Sequence, residues 1–166
     1  MSVEQMLFYP LAFLVTLGAL GVVLARNPLH GALWLVCSFF FLSAVYVLLG
    51  AHFVGILQIM VYAGAIMVLF LFVIMLLALS DAELGERRVT VFKILGSVFA
   101  LGGIGIAVRL LLRAPTTALP AIPADFGTVA AVGQRLFTEL PLQFESVSLL
   151  LLAAIAGAVV LAKARI

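Results

Sequence analysis

Charged residues interrupt this chain in only a few places, and the apolar stretches between them are each long enough to cross a hydrocarbon layer. Such a layer, about 30 Å thick, needs about 20 helical residues at about 1.5 Å each. The runs fall over residues 7–25, 29–49, 53–79, 92–112 and 142–162. The first stops at Arg26, where Asn27 and Pro28 offer a helix cap and a first-turn proline to the second. A tight connection, Gly50 to His52, leads into the third run, which exceeds what a bilayer requires and must tilt or deform. The polar segment 81–93, with Glu83, Glu86, Arg87 and Arg88, separates it from the fourth. Residues 113–141 form a long extramembrane connection with Pro115, Pro120, Pro123 and Pro141, in which Thr128 to Leu140 has the pattern of a short amphipathic interfacial helix. The expected fold is an all-α integral membrane protein, one membrane domain of five transmembrane helices over residues 1–166.

Composition agrees with lipid as the solvent: 66% of the residues are hydrophobic, 10% are charged, and the mean hydropathy is +1.38. The basic residues occur at span ends and not in one patch, which argues against nucleic acid. Arg26, Arg87, Arg88, Lys93, Lys163 and Arg165 fall on one side, against Arg109, Arg113 and Arg135 at or beyond the other. The positive-inside rule then sets the N-terminus outside, in the periplasm, and the C-terminus in the cytoplasm. The opening MSVEQ carries Glu4 and no basic residue, so the first helix is expected to be retained, and a bacterial inner membrane is the expected location. The single Cys37 lies mid-span and reads as a small apolar filler, with no second cysteine for a disulfide or a metal site. Small residues four apart at Gly21 and Ala25, Gly96 and Ala100, Gly103 and Ala107, and Ala153 and Gly157 would let helix backbones approach, within this chain or against another.

The chemistry is sparse. The inner thirds of the spans hold no Asp, Glu, Lys, Arg or His, which argues against an autonomous ion path and against hydrolytic or metal chemistry. His30 and His52 stand at membrane edges, either as titratable groups or as ordinary boundary residues. Glu145 is expected in the first turn of the last helix, as an anchor at the positive helix end or as a proton-transfer group. The third run is the informative one, because Gln58, Tyr62 and Gly64 sit inside an otherwise apolar helix. Each polar group there needs a partner. Gly64 between two alanines weakens the local helix, so a kink or an i to i+5 bulge could form there; alternatively Tyr62 bonds a neighbouring helix and the small residues only permit close contact.

The stretch NPLHGALWLVCSFFFLSAVYVLLGAHFVGILQIMVYAGAIMVLFLFVIMLL resembles the subunit J (chain 6) family of proton-pumping NADH:quinone oxidoreductase, respiratory complex I. The resemblance is carried by Asn27-Pro28 with His30, by Gly50-Ala51, and by the block Val61 to Leu71. GQRLFTELPLQFESVSLLLLAAIAGAVVLAKAR resembles the family's final helix, and residues 81–130 match poorly. It implies a membrane-arm subunit beside the quinone-chamber subunit, the small bridging subunits and the antiporter-like chains, with NADH, FMN, iron-sulfur clusters and quinone held elsewhere in the complex. In the family the third helix, around the positions of Tyr62 and Gly64, carries a π-bulge that converts to regular helix and is thought to gate a proton path. Gln58, Tyr62, Gly64, Met67 and Val68 are therefore the candidate proton-path or gating residues, with His30 and Glu145 behind them and no catalytic, cofactor or metal ligand expected in this chain. Some family members carry glutamate where this chain has Gln58, so a hydrogen-bonding role there is open and a proton-carrier role is not. The readings that remain are a gating subunit, a purely structural subunit, and a small independent transporter.

Overall fold

The structure, a computed structural model, describes residues 3–77, 91–113, 123 and 125–163. The expected polar turn at 81–90, Pro115, Pro120 and Arg165 lie outside the described residues. Helix α1 spans Val3–Leu24, α2 Pro28–Leu48, α3 His52–Leu77, α4 Val91–Arg113, α5 Val129–Thr138 and α6 Pro141–Ala162, and the described residues contain no strand. Four of these, α1, α2, α3 and α6, are long and apolar enough to cross a membrane. In α4 the described apolar stretch is the shorter Gly96–Leu110. The chain divides into two compact units, residues 1–76 with 123–166, and residues 77–122, the second containing α4.

Local chemistry explains the helix ends. Asn27 caps α2 by accepting the Leu29 amide at 2.9 Å, and Pro28 opens the helix, as the sequence predicts. At its other end Gly50 adopts φ +78°, and the Gly50 and Ala51 amides donate back to the Val47 and Tyr46 carbonyls. That paired pattern is a Schellman cap, which needs a left-handed residue where glycine has no Cβ to clash. The short helix α5 is capped by Thr128, whose hydroxyl accepts from the Ala131 amide at 3.2 Å and donates to the Asp125 carbonyl at 2.7 Å.

Helix α2 is the hub of the first unit, packing on α1 and on the first half of α3. Its seam is built from small residues. A Cβ on Gly18 would stand 2.8 Å from the Ser38 Cβ, and one on Gly21 would stand 2.5 Å from the Trp34 ring. The first of the small-residue pairs, Gly21 with Ala25, thus serves a contact inside this chain, whereas Gly96, Gly103 and Gly157 meet nothing within 4 Å among the described residues. Such seams rely on close van der Waals approach, because lipid supplies no hydrophobic drive between helices. Ser38 donates to the Val15 carbonyl at 3.3 Å, and Ser43 to the Gly55 carbonyl at 2.7 Å. Cys37 is exposed on α2 within this chain, while Ser38 beside it takes the seam.

Candidate functional site in the third helix

Helix α3 is not uniform. It begins as α-helix at His52–Leu57, widens into a π-helix at Gln58–Ile66, and resumes as α-helix at Met67–Leu77. The Gln58 amide still reaches the Val54 and Gly55 carbonyls, whereas the Met67 amide reaches back five residues to the Tyr62 carbonyl. One residue has been added to the turn.

The sequence favours the wide turn here because Ala63, Gly64 and Ala65 are small. A Cβ on Gly64 would stand 3.2 Å from the Ile59 carbonyl oxygen, five residues earlier, so that the carbonyl would have to give by a few tenths of an ångström. Glycine leaves that carbonyl free to serve the π-type bond. The extra residue also re-aims the helix faces. Buried positions run Gly55, Gln58, then Ala63, Met67, so the interval across the π turn is five, not the three or four of a regular helix. In a regular α register the stripe continuing from Gln58 would pass through Tyr62 and Ile66.

The N-terminal half of α3 is pinned to α2. Gly55 sits against Val47, whose Cγ2 would lie 3.0 Å from an added Cβ, and its carbonyl accepts from Ser43. Gln58 is 93% buried, and no buried side-chain nitrogen or oxygen among the described residues lacks a hydrogen-bond partner. Tyr62 is half-exposed and meets α2 through its ring, edge-on to Phe39 with centroids 5.9 Å apart and planes at 75°.

Of the sequence-predicted residues, the structure gathers Gln58, Tyr62, Gly64 and Met67 in or beside the π turn, with Gln58 and Met67 buried. Val68 follows on the exposed side. His30 and His52 are apart, in the first turn of α2 and at the start of α3; the part of α2 that follows His30, residues 31–48, spans roughly 27 Å. Glu145 corrects its expected position. Pro141 takes the first helical position of α6, which leaves the first turn without an acidic residue and puts Glu145 at the fifth position, where the second turn begins. Ser43 and Phe39 escaped the sequence reading. Ser43 had one visible signal, a hydroxyl in an otherwise apolar span, which calls for a carbonyl partner. No group of three or more His, Cys, Asp and Glu able to hold a metal ion occurs among the described residues.

The sequence pattern of the NADH-ubiquinone/plastoquinone oxidoreductase chain 6 family matches residues 18–161. The chain belongs to this family. Among chain 6 relatives, subunit J of the NADH-quinone oxidoreductase of Rhodobacter capsulatus is 36% identical, over 97% of this chain and 82% of its own length. Subunit 10 of the Thermus thermophilus NADH-quinone oxidoreductase reaches 48% identity over 57% of this chain and 53% of its own. Subunit J of the F(420)H(2) dehydrogenase of Methanosarcina mazei is 32% identical over 98% of this chain and 92% of its own. Chain 6 proteins of chloroplasts also match, at 31% identity for Staurastrum punctulatum over 99% of this chain.

Proposed function

We propose that this chain is a membrane-arm subunit of a proton-translocating NADH:quinone oxidoreductase, and that its third helix gates a proton path by passing between the π turn and a regular helix. The observation that carries the proposal is the five-residue step in the buried stripe from Gln58 to Ala63. Removing the extra residue from the turn would rotate the following half of α3 by about 100°, replacing Ala63 and Met67 in the stripe by Tyr62 and Ile66. A buried amide at Gln58 and a phenol at Tyr62 border the place where that exchange occurs. The amide can bond water on either side of its plane, so it supports a water chain without carrying the charge.

In this reading the chain holds no redox centre. NADH, FMN, iron-sulfur clusters and quinone belong to other subunits, and the quinone-chamber, bridging and antiporter-like subunits are its neighbours. The relatives' names support that division, since enzymes named for NADH, NAD(P)H and F(420)H(2) carry similar chains. A chain shared among such enzymes suits a position where the donor does not matter. The proposed topology counts α4 as the fourth of five spans, with the N-terminus outside and the C-terminus in the cytoplasm of a bacterial inner membrane. A structural role alone is the second reading, favoured by the open notches at Gly96, Gly103 and Gly157, which suit helices of other chains. Substitution of Gly64 by valine separates the two. Assembly kept with proton pumping lost supports the gate; assembly and pumping lost together support the scaffold; pumping unchanged refutes the gate.

A further inference from the structure

Away from the π turn, a cavity of about 330 Å³ opens between α5, the loop before it, and the turn that joins α2 to α3. That turn ends one apolar span and begins the next, so the cavity stands at the edge of the hydrocarbon layer. Its walls are of two kinds. Arg135, Asp125 and Glu139, one basic and two acidic residues, are exposed along its lining, while Val54, Ala51 and Phe126 supply an apolar side. The frame is held from the backbone. The Phe53 amide, an orphan donor in the first turn of α3, donates to the Gly127 carbonyl at 2.9 Å. Gly127 itself adopts φ +71°, and an added Cβ would collide with the Gly50 carbonyl. A cavity preformed in this way orders little on binding.

The charge pattern selects the occupant. A group carrying only negative charge would meet two carboxylates, and one carrying only positive charge would meet a guanidinium. A group with both signs satisfies all three: a phosphate against Arg135 and an ammonium against Asp125 and Glu139. Carboxylates reward an ammonium that donates hydrogen bonds, whereas a quaternary ammonium donates none and calls for an aromatic cage. Phe126 is the one aromatic residue among the described residues of the lining. We propose that this cavity binds the phosphoethanolamine headgroup of a membrane phospholipid, whose chains run down the apolar side past the exposed Val54. The proposal is independent of gating at the π turn.

The test uses the whole complex, purified through a tag on this chain and placed in vesicles containing phosphatidylethanolamine with a photoactivatable group near the headgroup. The expected adduct maps to residues 123–140. It is displaced by unlabelled phosphatidylethanolamine, and at equal concentration neither by phosphatidylglycerol nor by phosphatidylcholine. Losing one charge-assisted contact in Arg135→Gln or Glu139→Gln lowers it by about tenfold. No adduct in this segment, an adduct of equal strength from the choline or glycerol lipid, or an adduct unchanged in both variants overturns the proposal. Displacement by soluble phosphoethanolamine as readily as by the lipid would overturn the lipid source. Two variants are used because either alone could fail to assemble, and failure of both to leave an intact complex is answered by the lipid-competition arm on the unmodified protein.

Discussion

Replacement of Gly64 is the perturbation that addresses the π turn most directly. In the π register a Cβ at this position stands 3.2 Å from the Ile59 carbonyl oxygen, so the carbonyl must retreat by a few tenths of an ångström. That carbonyl is held in the helix's own bonding ladder, and retreat lengthens the bond it serves. Crowding of this kind costs about 1 kcal/mol for alanine and about 1–3 kcal/mol for valine, whose branched Cβ is also stiff. The general helix preference of alanine over glycine applies to both registers and largely cancels between them. Alanine should therefore shift the balance toward regular helix by about fivefold, and valine by up to about a hundredfold. The readout follows from the faces. Ile66 is 50% exposed and Met67 is 4% exposed, and a regular register exchanges them. In a Cys37→Ala background, Ile66→Cys should react faster than Met67→Cys with a membrane-permeant thiol reagent in the assembled complex. Adding Gly64→Val should reverse that order and uncouple quinone reduction from proton transport. An unchanged order of reactivity in an assembled Gly64→Val complex would refute the crowding argument, and a reversed order with normal pumping would refute the gate.

The other expectations concern the packing that supports the turn. Ser43→Ala removes the 2.7 Å bond to the Gly55 carbonyl and should lower the stability of the purified complex by about 0.5–1.5 kcal/mol, read as a drop in melting temperature. Gly21→Ala drives a methyl to within 2.5 Å of the Trp34 ring and should cost about 1–3 kcal/mol, whereas Gly157→Ala meets nothing within 4 Å among the described residues. The yield of assembled complex on native gels compares the two: equal losses would show that the α1–α2 seam is not the sensitive contact. Cys37→Ala, at an exposed position on α2, should stay within about 0.5 kcal/mol of the parent, and a larger loss would mean that a neighbouring chain packs on that thiol.

The parts of the fold that can be read from the sequence are those set by local chemistry. Asn27-Pro28 announces the start of α2 because a side-chain acceptor and a missing amide suit the first turn of any helix. Gly50 announces its end for the same kind of reason. The weak point in α3 is legible too, since glycine between alanines in an apolar helix marks the place where the ladder is easiest to disturb. What cannot be read in advance is the phase of the stripe. Gln58 and Met67 are nine residues apart and share a buried face only because one extra residue lies between them; regular spacing would have assigned Tyr62 and Ile66. Glu145 fails in a similar way, by one residue, because Pro141 takes the first helical position and shifts the count.

The seam between α2 and α3 also explains how a helix can hold a wide turn without coming loose. Below the turn, Gly55 is locked by Ser43 and Val47, so the first half of α3 has one position. Beyond it, most side chains of Met67–Leu77 are exposed within this chain, Val68, Leu69 and Phe72 each by half or more. Rotation of that second half would break few contacts with the described residues of the first unit, and its energy would be set mainly by whatever else lies against it. Under the proposed gate, a π turn between these two halves is a joint whose position neighbouring subunits would decide. The near absence of ionisable groups in these spans is consistent with that arrangement, because a wall that must present different faces at different times is best made of residues that cost little on either side.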